Sequence, residues 1–319
     1  MNTLMETLEL NPNNLNSSFQ TEKWCGHEFL YKFHNFWFTQ TYLNTTQIVL
    51  QNFKPLPTDI ILASFPKTGT TWLKALLHSI IHRSPKAENP LIYNHPQELI
   101  PSLETNLYLQ ERISKIPELL SAKSPRILGT HIPYQIIGDV LSSSECKIVY
   151  VTRNPKDTLI SLWHFVQKSK DVEEDPWELE VAVDQFCKGI VPFGPYYDHA
   201  LAYREESIKS PQKVLFVTYE ELKENPNNHV KRLAEFLGCP FEDDEEVEEV
   251  VKSCSFEILS NQEVNKSKEL PNGFPLPYSS FFRKGEVGDN VNYLEERMIE
   301  RIDDVTREKF HDIGFVYGI

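Results

Sequence analysis

The sequence predicts an α/β fold, a single domain in which a central parallel β-sheet is flanked by helices. Three observations carry this. Apolar runs of strand length recur at 59–65, 126–130, 147–152 and 213–218, without the strict alternation of a half-exposed strand, as strands buried on both faces require. Each run precedes a helical or loop segment, and strands alternating with helices imply βαβ units. The 319 residues are 40% hydrophobic and 24% charged, close to the globular norm, which excludes a disordered or low-complexity chain.

In chain order, residues 1–20 are polar and rich in asparagine, a mobile leader outside the core. The domain proper spans 21–319. From Trp24 to Phe38 aromatics are dense, suited either to packing on the body or to covering an apolar pocket. Asp59 to Phe65 reads as a buried strand, 66–71 as a tight loop and Trp72 to Ile81 as a helix, together a P-loop-like strand–loop–helix. Further helices are predicted at Pro155–Gln167, Glu178–Lys188, Tyr196–Ser207, Asn228–Leu237 with Gly238 as C-cap, and Tyr293–Phe310. Seven acids among residues 241–249 suit a solvated helix start. Residues 270–282 contain Pro271, Gly273, Pro275 and Pro277, too many breakers for regular structure.

Charge narrows the function. With 32 basic and 46 acidic side chains the net charge is −14, so a basic nucleic-acid-binding face is not expected. Cys25, Cys146, Cys187, Cys239 and Cys254 form no Cys-x-x-Cys pair, which argues against a disulfide framework or zinc knuckle and for a reducing compartment. Met1 to Leu10 carries Glu6 and Glu9 where a secretory signal has a basic region. No apolar run approaches the roughly 20 residues that span a bilayer. A cytoplasmic chain without membrane or nucleic-acid partners is expected.

The chemistry concentrates in a few segments. Where the 59–65 strand hands over to its helix, backbone N–H groups and the helix dipole converge on a point that attracts phosphate. Lys67 adds a cation there, and Thr68, Thr70 and Thr71 add hydroxyls around Gly69. Here the lysine precedes a single glycine by two residues, and the 147–152 strand ends in Arg153 instead of an aspartate. Both differ from a magnesium-binding P-loop, so the pattern suits anions without a metal. Arg153 with Ser161, about two helical turns on, and Arg283-Lys284-Gly285 offer basic groups for a second phosphate. Arg153 can equally be an exposed strand-end arginine, and Ser161 a helix-surface serine. His131 follows the 126–130 strand at the carboxyl edge, where α/β sheets bind ligands. An imidazole suits proton removal at neutral pH, although most histidines are packing or surface residues.

Taken together, Phe65-Pro66-Lys67-Thr68-Gly69-Thr70-Thr71-Trp72, Thr130-His131, Arg153 to Asp157 with Ser161, Thr218-Tyr219-Glu220 and Arg283 to Asp289 resemble the cytosolic sulfotransferases, especially the plant soluble branch. The motifs fall in family order, and the similarity covers nearly everything except the leader. The resemblance implies that 3′-phosphoadenosine 5′-phosphosulfate (PAPS) is the donor and its 3′,5′-bisphosphate, PAP, the product, with no metal. By motif position Lys67, Thr68, Gly69, Thr70 and Thr71 would hold the 5′-phosphosulfate, and Arg153, Ser161, Arg283, Lys284 and Gly285 the 3′-phosphate. Trp72 and Phe256 would sandwich the adenine, with Tyr219 beside it. Phe165 and Ser102 fall at acceptor-pocket positions. His131 would take the acceptor proton, and Lys67 would neutralise charge on the departing nucleotide.

Three positions depart from the pattern. Gly129 stands where many animal members carry a lysine, so leaving-group stabilisation is expected to rest more on Lys67. Asn290 replaces a tryptophan, which puts a local packing contact in question. The animal Lys-x-x-x-Thr-Val-x-x-x-Glu dimer signature is absent after Asp289, so a monomer or weak homodimer is expected. The partner implied is a small-molecule hydroxyl acceptor. A flavonoid or related phenol is favoured; brassinosteroid or other steroid, hydroxyjasmonate and desulfoglucosinolate are the alternatives. A nucleotide kinase and a non-catalytic nucleotide-binding protein are the rival classes.

Overall fold

The computed structural model describes residues 19–25, 28–83, 88–108, 125–168, 176–268 and 276–310. The leader lies outside them apart from Phe19 and Gln20, as does 270–275 of the breaker-rich loop. Strands β1 (Thr21–Lys23), β2 (Phe29–Phe33) and β3 (Phe36–Thr39) form an antiparallel sheet in that order. Strands β4 (Ile60–Ser64), β5 (Ile127–Thr130), β6 (Lys147–Thr152) and β7 (Val214–Thr218) form a parallel sheet in the order β5-β4-β6-β7. All four parallel strands lie where the apolar runs predicted them.

Side chains alternate across the parallel sheet and divide the core in two. Ile61, Ala63, Leu128, Ile148, Tyr150, Val214 and Phe216 face one way. They pack against helices Gln40–Asn52, Tyr134–Ser142, Pro155–Val166, Tyr196–Lys209 and Glu296–Phe310. Ile60, Leu62, Ile127, Val149, Val151, Leu215 and Val217 face the other, against helices Thr70–Ile81, Pro226–Phe236 and Asp244–Ser253. Burial on both faces explains the absence of alternation in the sequence.

The aromatic stretch at 24–38 supplies strand β2 and most of β3 of the small antiparallel sheet. Its β2–β3 hairpin turns on His34 (φ 48°) and Asn35 (φ 66°), both left-handed as a two-residue hairpin loop demands. Phe36, Trp37 and Phe38 are buried. The Trp37 N–H donates to the Gly194 carbonyl and the Phe193 N–H to the Trp37 carbonyl, at 2.9 and 2.7 Å, which docks the sheet on the main domain. The acidic run begins a helix as predicted: Asp243 caps Asp244–Ser253, its carboxylate accepting the Glu246 N–H at 2.9 Å. The last helix starts at Glu296 and not Tyr293, because residues 289–292 form a tight 3₁₀ turn. No helix among the described residues is long and apolar enough to cross a membrane.

Candidate active site

Register brings the functional segments to one edge. Ala63 pairs with Thr130, Ser64 with Val151 and Thr152 with Thr218, so the parallel strands end level and the chain leaves each at the same side. Lys67, His131, Arg153 and Tyr219 follow those ends and line one cavity of about 620 Å³, a usual size for a small-molecule site. Every residue singled out from the sequence for the site lines it, with the exception of Thr68.

The 65–70 loop turns through left-handed backbone at Lys67 (φ 71°) and Gly69 (φ 115°). A side chain at Gly69 would also collide with Tyr219, whose ring lies 2.8 Å from the Cβ position. The turn corrects the expectation for Thr68. Its hydroxyl is fully buried, 2.8 and 2.9 Å from the carbonyl oxygens of Phe65 and Val151, so it ties the loop to β6 and faces away from the cavity. Thr70 lies 2.7 Å from the Ser64 hydroxyl, and Thr71 accepts from Gln97 Nε2 at 3.1 Å.

The Lys67 ammonium rests 3.8 Å from the Phe165 ring centroid and 5.4 Å from that of Phe281. Burial, helped by the neighbouring charges of Lys168, Arg283 and Arg153, brings it down to about 7. A cation so depressed gains from any anion placed beside it.

A second cationic cluster lies further along the cavity. Arg153 stacks 4.6 Å over Tyr219, donates to the Glu286 carbonyl at 2.6 Å and lies 3.3 Å from Asp157. Asp289 holds Arg283 and Lys284 at 2.5 Å each. Burial opposes ionisation of Asp289, but the bonds from Lys284, Arg283 and Asn292 pull its carboxyl well below the usual range. Phe256 presses on Gly285, where a Cβ would sit 2.4 Å from its ring. Trp72 and Tyr219 meet edge-on at 5.4 Å. Asn290, expected to weaken a packing contact, is buried, and its N–H and Nδ2 both donate to Asp157, at 3.0 and 2.8 Å. Trp72 Nε1, Arg153 Nε and Arg283 Nε are buried donors without a partner among the described residues. Such donors call for an acceptor, and a nucleotide with phosphates at both ends fits the two clusters.

His131 stands between these features. Its Nδ1 lies 2.7 Å from the Ser64 carbonyl oxygen, which can only accept, so Nδ1 carries the proton and Nε2 is the free base. Burial lowers the imidazole to about 3 against the opposing Ser64 bond, and Lys74, His199 and Lys67 push it the same way. It is neutral at pH 7. Its backbone N–H donates to Glu104 at 2.7 Å, and Thr130 donates to the same carboxylate at 2.9 Å. His199 Nε2 donates to the His131 carbonyl at 2.9 Å. Sequence reasoning missed Glu104, Gln97 and His199, whose roles arise from distant contacts. It also missed Lys74, which a lysine inside the apolar run 73–77 could have flagged. Ser102 is 2% exposed, its oxygen accepting from Lys74 at 2.8 Å. Among the described residues no cluster of His, Cys, Asp or Glu is placed to hold a metal ion.

A parallel α/β sheet with a neutral histidine and two cationic clusters in one cavity defines a group-transfer enzyme that uses an anionic nucleotide. The sulfotransferase domain family matches residues 57–314, and the chain belongs to that family as a PAPS-dependent sulfotransferase. Similar curated proteins include Cytosolic sulfotransferase 5 of Arabidopsis thaliana, 41% identical over 99% of both chains. Cytosolic sulfotransferase 12 of the same plant is 44% identical over 95% of this chain and 92% of its own. A crystal structure described as an Arabidopsis thaliana "putative steroid sulphotransferase" is 37% identical, with TM-score 0.74 over 95% of this chain and 93% of that one. Mouse sulfotransferase SULT7A1 complexed with PAP is 28% identical, with TM-score 0.70 over 89% and 94%.

Proposed function

We propose that this protein transfers the sulfuryl group of PAPS to a hydroxyl of a small aromatic acceptor, with flavonoid and related phenolic hydroxyls favoured. The observation that carries the reading is His131, kept neutral by burial and held in one tautomer by the Ser64 carbonyl, in the cavity that also contains Lys67. His131 Nε2 takes the proton as the acceptor oxygen bonds to sulfur and the sulfur–oxygen bond to the nucleotide breaks. Lys67 faces the charge that develops on the leaving oxygen. Gly69, Thr70, Thr71 and the Thr68 backbone hold the 5′ end. Arg153, Ser161, Arg283, Lys284 and Gly285 hold the 3′-phosphate, and Trp72 and Phe256 hold the adenine.

Trp24, Tyr42, Phe165, Phe193, Phe281 and Leu276 line the cavity, and flat apolar walls of this kind suit a planar phenol. A steroid hydroxyl is the second reading, supported by the description of the 37%-identical Arabidopsis structure. The names of the cytosolic relatives support a cytoplasmic location, with a monomer or weak homodimer as the working form.

The test is a PAPS-dependent panel of flavonoids, brassinosteroids, hydroxyjasmonate and desulfoglucosinolates, read by mass spectrometry. A sulfonated flavonoid as the preferred product is expected. A steroid or other product with flavonoids untouched overturns the acceptor assignment, and PAP binding without any product supports a non-catalytic nucleotide-binding protein.

A further inference from the structure

Helix Thr70–Ile81 buries every side chain from Leu73 to Leu77, and among them stands Lys74, 0% exposed. Its ammonium donates to Gln97 Oε1 and, at 2.8 Å, to Ser102 Oγ. The space it occupies exists because its neighbour on β5 is Gly129. A Cβ there would lie 2.6 Å from Ser102 Oγ, 3.1 Å from Lys74 Cε and 3.3 Å from Lys74 Nζ. Where the resemblance counted Gly129 as a lost lysine, the fold sets the Lys74 side chain against it from the neighbouring helix.

Burial lowers Lys74 to about 7 against the opposing charge of Glu104; below that pH it is an ammonium, with three donors and no acceptor, and it fixes the direction of every hydrogen bond that runs outward from it. Gln97 must turn its Oε1 to Lys74, which leaves Nε2 to donate to Thr71 Oγ1 at 3.1 Å. Thr71 oxygen therefore accepts on the protein side. Ser102 oxygen also accepts, from Lys74 itself, while its backbone N–H donates to Asn106 at 2.9 Å. Neither hydroxyl hydrogen has a protein acceptor among the described residues, and both side chains line the cavity. Reversing the hub would reverse both hydroxyls.

We propose that Lys74 is a positioning residue for sulfuryl transfer, which through Gln97 and Ser102 makes the Thr71 and Ser102 hydroxyls donate into the cavity, toward nucleotide phosphate and acceptor oxygen. This rests on the donor and acceptor assignments above and adds the element that sets their polarity. Gln97→Glu keeps the shape of residue 97 and pairs its charge with Lys74. Its second carboxylate oxygen can only accept, so the Thr71 hydroxyl swings back to it and no longer donates to phosphate.

The experiment is calorimetric titration of PAP into wild type, Gln97→Glu, Thr71→Val and the double variant, with melting temperatures alongside. Wild type binds PAP. Gln97→Glu melts no lower than wild type and binds about 10-fold or more weakly, the scale of one hydrogen bond to a charged group. In the Thr71→Val background Gln97→Glu costs nothing further. Losses that multiply in the double variant instead mean that the new charge acts directly on the nucleotide and overturn the proposal. In parallel, Lys74→Met raises the acceptor KM in wild type but not in a Ser102→Ala background; an equal rise in both backgrounds also overturns it. Wild type that fails to bind PAP overturns the donor assignment itself, a separate outcome.

Discussion

His131 Nδ1 and the Ser64 carbonyl oxygen are 2.7 Å apart across the ends of β5 and β4. This one contact fixes the tautomer, and burial keeps the ring neutral far below its ordinary range, at about 3. A base that is already neutral at pH 7 needs no deprotonation step before reaction. His131→Ala is expected to lower kcat by about 10²–10⁴-fold. The acid limb of kcat/KM in the wild type should appear well below pH 6. A limb centred near 6.5 would mean that the imidazole titrates freely, without the burial seen here.

Lys67 makes a prediction of opposite sign. Its ammonium is depressed to about 7 in the free protein, and a bound phosphosulfate or phosphate raises it. Affinity for PAP is then greatest below pH 7 and declines as pH climbs through the free value, with proton uptake on binding in that window. Titrations at pH 7.5 in two buffers of different ionisation enthalpy should give different apparent enthalpies. Equal enthalpies would show that no proton is taken up.

Arg283 has a buried Nε without a partner among the described residues and an Nη1 held by Asp289. Arg283→Ala removes a charged donor from the proposed 3′-phosphate site, and PAP affinity should fall about 10–100-fold. At saturating PAPS, kcat should change little, because the 3′ end is remote from the bond that breaks. An unchanged Kd would count against the assignment.

At the opposite edge of the sheet Asp59 and Arg126 form a buried pair, with Arg126 Nε and Nη2 2.7 and 2.5 Å from the carboxylate. The Leu56 N–H donates to the same carboxylate at 2.7 Å. Asp59→Ala removes the carboxylate paired with a buried guanidinium and is expected to cost about 3–5 kcal/mol, read by urea unfolding. Turnover by the remaining folded fraction should match the wild type, since the pair lies at the amino ends of β4 and β5, away from the cavity.

The parallel sheet was legible because its signal is local: β4 and β6 are largely apolar runs, and Gly69 sits in a loop where one cation, Lys67, and three threonines lie within five residues. His131 was legible from its place after a strand. Thr68 was misread because residue type does not show which way a hydroxyl points, and the left-handed turn at Lys67 aims it at Val151. The β2–β3 hairpin lacked a glycine signal, its turn being His34-Asn35. Glu104 and Gln97 carried no local mark, since their partners His131 and Thr71 lie more than twenty residues away in sequence. Gly129 read as an absence, while in the fold it is the opening that admits Lys74.

The central claim is that one cavity binds PAPS and uses His131 to pass its sulfuryl group to a hydroxyl. It is tested most directly by incubating wild type and His131→Ala with PAPS and a flavonoid in the presence of EDTA, and measuring PAP and sulfonated product together. The account predicts equal amounts of both from the wild type and a rate about 10²–10⁴-fold lower from the variant. Product formed at the wild-type rate by His131→Ala, or none from the wild type until magnesium is added, would contradict it.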